Sequence, residues 1–103
     1  MVRHKFKAIQ SERDDIKFPS KTERRYYDKL KILKRSGEVL FFLRQPRFDL
    51  PGGVKYLADF QVFWSNGEIE FIDVKGYDTP NSKSKRKMVE NVYPIKIKIV
   101  KDV

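Results

Sequence analysis

The chain has 103 residues, 40% of them apolar and 14% aromatic, which suits one modest core and argues against disorder. It has no cysteine, so disulfides and thiolate metal sites are excluded, and no run approaches the roughly 20 apolar residues of a membrane-spanning helix. Lys and Arg number 23 against 14 Asp and Glu, and a formal +9 on so small a body points to polyanionic partners, nucleic acid above all.

Residues 1–15 are polar and basic, with Arg3, His4, Lys5 and Lys7 near the start, and read as a mobile arm of the single domain 1–103. MVRHKFKAIQ lacks the apolar core of a signal peptide, so the expected location is the cytoplasm. A short strand is expected near Ile16–Phe18. Ser20 then reads as a helix N-cap with Glu23 three residues on, a capping-box spacing. Gly37 suits the position after the helix, so the helix should span about 21–36, with Tyr26, Tyr27, Leu30 and Leu33 on its apolar face. Val39–Leu43 reads as a buried strand, stopped by Pro46. Arg47–Leu50 is a short extension before a Pro51-Gly52-Gly53 turn, and 55–64 reads as one strand. Ser65-Asn66-Gly67 is a turn, and 68–75 is the returning strand. A loop at 78–81, a basic helix over 82–92 and a last strand over 95–100 complete the chain. The order helix, three strands, helix, strand predicts an α/β fold: a mixed central β-sheet flanked by helices.

Three acids sit where a plain core would reject them. Asp59 interrupts Leu57-Ala58-x-Phe60, and Asp73 interrupts Phe71-Ile72-x-Val74. Glu23 shares the apolar side of its helix with Tyr27 and Leu30, although the capping box alone would explain a glutamate there. An unpaired buried carboxylate costs several kcal/mol or stays protonated, and a hard divalent cation is one remedy. Asp73-x-Lys75 could also be an ordinary surface pair.

Whether Asp59 and Asp73 can share an ion depends on the hairpin. A two-residue Asn66-Gly67 loop puts them on opposite faces, and local turn chemistry favours it. A three-residue loop with Gly67 left-handed pairs 64 with 68 and sets Asp59 opposite Asp73. The longer loop is the expectation, because it assembles a site. Lys75 would then orient water or stabilise charge on a phosphate, and the Val74 carbonyl could be a further metal ligand.

IKFPSKTERRYYDKLKIL, LRQPRF and KYLADFQVFWSNGEIEFIDVKG together resemble the phage branch of the PD-(D/E)XK nuclease superfamily and its archaeal-type Holliday junction resolvases. The likeness covers about residues 16–90. It implies an αβββαβ restriction-endonuclease-like core, with Glu23 as the helix acid, Asp59 in the second core strand and Asp73–Lys75 as the (D/E)-x-K motif. It further implies Mg²⁺ or Mn²⁺ as cofactor, phosphodiester hydrolysis, and a homodimer acting on branched DNA, four-way junctions above all. Asp73 stands where the resolvases usually carry Glu, which leaves flaps, nicks or single strands as alternative substrates. Gln45 sits at a position resembling one used near such sites.

Arg3, Lys5, Lys7, Arg24, Arg25, Lys83, Lys85, Arg86 and Lys87 are the expected phosphate contacts. Phe42 and the Phe60–Trp64 stretch are the expected dimer surface. A non-catalytic nucleic-acid-binding module of the same fold is the competing class.

Overall fold

Two consecutive aspartates fold back the segment expected to be an arm. In the computed structural model, which describes residues 10–101, Asp14 and Asp15 adopt positive φ (54° and 62°) and join β1 (Ser11–Arg13) to β2 (Ile16–Phe18) as a hairpin. Left-handed pairs of this kind match the strand twist, and aspartate tolerates them. The hairpin is pinned to the first helix, α1 (Lys21–Arg35). The Asp14 carboxylate accepts from the Tyr27 hydroxyl at 2.9 Å and pairs with Lys31, while Arg13 reaches Asp28 at 3.4 Å. Phe18 is wholly buried as a result. Arg3, Lys5 and Lys7, the expected contacts in the arm, lie outside the described residues.

α1 forms as its signals dictate. Ser20 Oγ accepts the Glu23 amide at 3.0 Å, and Gly37, at φ 88°, turns the chain out after the last helical carbonyls. Its inner face buries Tyr26, Tyr27 and Leu30.

The central sheet has four strands in the order β3 (Val39–Arg44), β6 (Phe60–Trp64), β7 (Ile69–Val74), β8 (Ile97–Val100). The first two pairings are antiparallel and the last is parallel, with α2 (Pro80–Val92) as the crossover. α2 starts two residues earlier than expected. Thr79 Oγ1 caps the Ser82 amide at 3.1 Å, and Pro80 fits the first helical turn, where no amide donor is needed. The expected strand 55–64 is two strands. β5 (Val54–Leu57) pairs with β4 (Arg47–Leu50) in a separate hairpin, and the chain bends at Ala58–Asp59 before β6 begins.

Strand alternation sorts the core into two layers. Phe60, Val62, Ile72 and Val74 face α1 and join Phe18, Tyr26, Tyr27, Leu30 and Val39. On the opposite face, Phe71, Ile97 and Ile99 meet Val89 of α2 and Phe48, Leu50 and Tyr56 of the β4–β5 hairpin. Each fully buried large side chain contributes about 1.5–3 kcal/mol. The result is an α/β domain with a mixed sheet between two helices. Among the described residues, no helix is long and apolar enough to cross a membrane.

The layering takes Phe60 and Val62 out of the expected dimer surface. Phe60 and Val62 are wholly buried inside one chain, and Phe42 packs edge-on to Tyr27 and Phe60 at 5.7 and 6.1 Å. The other face carries exposed apolar residues: Phe41, stacked on Phe63 at 4.2 Å, with Leu43 and Ile69.

Candidate active site

The Ser65–Gly67 loop decides the register. Trp64 N donates to Glu68 O at 2.9 Å, Gly67 N donates back to Trp64 O at 3.0 Å, and Gly67 has φ 94°. The strands therefore pair Phe63 with Ile69 and Phe60 with Ile72, and one step further Asp59 meets Asp73. This is the three-residue loop. A side chain on Gly67 would meet no atom but would have to adopt the left-handed region, so backbone conformation, not space, selects glycine there.

The two aspartates interlock through the main chain. Asp59 N donates to Asp73 Oδ1 at 3.1 Å, and Val74 N donates to Asp59 Oδ2 at 2.7 Å. Asp73 is 1% exposed, and its Oδ2 is buried with no hydrogen-bond partner. Glu23, 3% exposed, comes from α1 and meets the carboxyl of Asp59. Asp59, in its bend, is thus the member that touches both others. Among the described residues no three acidic or imidazole side chains already close around a single point.

Burial sets the electrostatics. It pushes Glu23 up from 4.5 to about 7, with the charge of Asp59 adding to the rise and Arg44 opposing it. Asp59 is pushed up by burial, against the Val74 amide and the Lys75 ammonium. Asp73 is pushed up by burial, against Lys75 and the Asp59 amide. Lys75 is half-buried beside both aspartates, and its amide extends the β7 ladder to Val100 O at 2.9 Å. Three carboxylates that all resist ionisation, one with an unpartnered buried oxygen, fit the donor set of a hard divalent cation.

Arg44 is the residue that sequence reasoning missed. It ends β3 on the α1 face, and its guanidinium reaches Glu23 Oε2 at 3.3 Å and lies 4.6 Å from the Phe18 ring centre. The next residue, Gln45, is exposed at φ 56°, and its amide donates to Asp59 O at 3.0 Å. A non-glycine residue in the left-handed region is uncommon, and this one ties the end of β3 to the site.

The cations expected to meet DNA differ in their availability. Arg86 forms a two-pronged pair with Asp78, both side chains about nine-tenths buried. Arg24 pairs with Asp28 one helical turn away at 2.7 Å. Lys83 and Lys87 are exposed on α2 and Lys85 is half-buried, while Arg25 is exposed on α1.

A family model described as a protein of unknown function, DUF1064, matches residues 3–102. The chain belongs to the DUF1064 family. No curated protein and no solved structure matches it. In this DUF1064 chain the buried acids, Lys75 and Arg44 gather where β3, the bend before β6 and the end of β7 meet α1.

Proposed function

We propose that the protein is a Mg²⁺- or Mn²⁺-dependent, structure-selective DNA endonuclease of the PD-(D/E)XK type, acting as a homodimeric Holliday junction resolvase on branched DNA. The observation that carries this is the buried, unpartnered Oδ2 of Asp73 beside Asp59, with Lys75 directly past the end of β7. The sheet order, with helix, three strands, helix and strand contributing in turn, supports a restriction-endonuclease-like core.

Asp59, Asp73 and Glu23 would hold the cation, with the Val74 carbonyl as a further ligand. When bound, the cation would act as a Lewis acid on the phosphate and lower the pKa of water. The Lys75 ammonium, beside Asp59 and Asp73, would orient the attacking water and stabilise charge growing on the phosphate. Lys83, Lys85 and Lys87 would hold the DNA backbone without reading sequence. The homodimer would use the face that carries Phe41, Leu43, Phe63 and Ile69, since Phe60 and Val62 are taken up inside one chain.

Two observations favour the rival, a non-catalytic binding module. Glu23 already has a cation, Arg44, and the acids do not form a closed cage. The test is a cleavage gel in Mg²⁺ with four-way junction, flap, nicked and plain duplex DNA, for wild type and Asp59→Ala. The nuclease cuts the junction first, and Asp59→Ala binds it without cutting. No cutting by wild type leaves the binding module. Equal cutting of all substrates removes the resolvase label and keeps the nuclease.

A further inference from the structure

We propose that Arg44 is a mobile positioning residue with two stations: paired with Glu23 while no divalent cation is bound, and turned onto a DNA phosphate once a cation takes Glu23. This rests on the nuclease reading. It goes beyond that reading by assigning Arg44, which lies outside the acid–lysine set.

The present pairing is a weak one. One guanidinium nitrogen meets one carboxylate oxygen at 3.3 Å, and Arg44 Nε is buried with no partner. A guanidinium satisfies a carboxylate best with two short parallel bonds, and this one makes neither. Its other support is the Phe18 ring, on which a flat cation can slide while staying in van der Waals reach. That ring is itself fixed, wholly buried and 5.0 Å from the ring of Tyr27.

The backbone is fixed as well. Arg44 pairs with Phe60 in the sheet, and the left-handed Gln45 binds the Asp59 carbonyl, so motion is confined to the side chain. The Arg44 side chain is 23% exposed while Glu23 is 4% exposed, so Arg44 keeps a contact with solvent that the carboxylate lacks. A divalent cation that takes Glu23 competes with Arg44 for the same carboxylate. The two positive groups repel at this range, and Arg44, the more exposed of the pair, is the one with room to turn away. The five donors it then presents match a phosphate, which the DNA supplies beside the cation.

Three readouts on purified protein test this: Mn²⁺ affinity by calorimetry, junction binding in Ca²⁺, and single-turnover junction cleavage at saturating Mn²⁺. Arg44→Gln should bind Mn²⁺ roughly tenfold tighter, because a competing cation is gone. It should nonetheless cleave on the order of 100-fold more slowly, because the guanidinium no longer reaches a phosphate. A merely structural arginine would lose both together. Arg44→Lys keeps the charge and guards against misfolding. It should hold Mn²⁺ within about twofold of wild type yet cleave at least about tenfold more slowly, since ammonium lacks the planar fork. Unchanged or weaker Mn²⁺ binding by Arg44→Gln, or wild-type cleavage by either variant, overturns the proposal. Wild type that neither binds Mn²⁺ nor cleaves overturns the nuclease reading and this proposal with it. An active wild type with unaffected variants overturns this proposal alone.

Discussion

Replacing Glu23 with Gln should stabilise the protein above neutral pH in the absence of metal. Burial raises the Glu23 carboxyl from 4.5 to about 7. A group whose folded pKa is raised contributes stability below its unfolded pKa, and that contribution is lost as pH rises through the folded value. The wild type should therefore weaken between about pH 4.5 and pH 7. A shift of this size corresponds to on the order of 3 kcal/mol between the protonation states. Glu23→Gln mimics the protonated form, so at pH 8 in EDTA it should gain up to about 3 kcal/mol. At pH 5 the gain should be under about 1 kcal/mol, because most of the folded protein already carries the proton. For a domain of this size the pH 8 gain corresponds to a Tm rise on the order of 10–20 °C. Thermal melts by circular dichroism at both pH values, with and without Mg²⁺, provide the measurement. Under the nuclease reading, Mg²⁺ at about 100 times its Kd should restore roughly 2.7 kcal/mol to wild type and little to the variant. A variant no more stable than wild type at pH 8, or equally favoured at both pH values, would refute the reasoning.

Asp78→Ala leaves the buried Arg86 guanidinium unpaired and should cost about 3–5 kcal/mol in urea unfolding, whereas exposed ion pairs contribute under about 1 kcal/mol. Lys83→Gln with Lys87→Gln should leave stability unchanged and make junction binding less salt-dependent, lowering the slope of log K against log salt by about 0.9 for each phosphate no longer neutralised. Phe41→Lys places a charge on the Phe41–Phe63 stack and, under the homodimer reading, should shift sedimentation from dimer to monomer; an unchanged dimer would exclude that face.

The legible parts of the sequence are those governed by local chemistry. Ser20, Glu23 and Gly37 mark α1 because caps act within one turn of the chain. The hairpin is legible only as two alternatives, and the requirement that Asp59 meet Asp73 selects the one the structure has. Asp14-Asp15 is a turn signal that the surrounding charged residues obscure. The 55–64 stretch reads as one continuous strand because alternation carries through Ala58, and nothing local reports that β5 pairs with β4 instead of β3. Arg44 with Glu23 and Arg86 with Asp78 are tertiary pairs, set by how strand ends and loops converge on the helices, and no spacing rule encodes them. Aromatic content alone does not say which face of the sheet α1 covers, so it points Phe60 to a dimer interface that its burial rules out.

The decisive measurement is Mn²⁺ located by anomalous diffraction in soaked crystals, with calorimetric titration of wild type and Asp59→Ala alongside. The nuclease reading predicts an anomalous peak within bonding distance of Asp59 and the unpartnered Oδ2 of Asp73, and heat of binding that disappears in Asp59→Ala. No peak among these carboxylates, with no heat of binding at millimolar Mn²⁺, would contradict it and leave a basic protein that binds polyanions without cutting them.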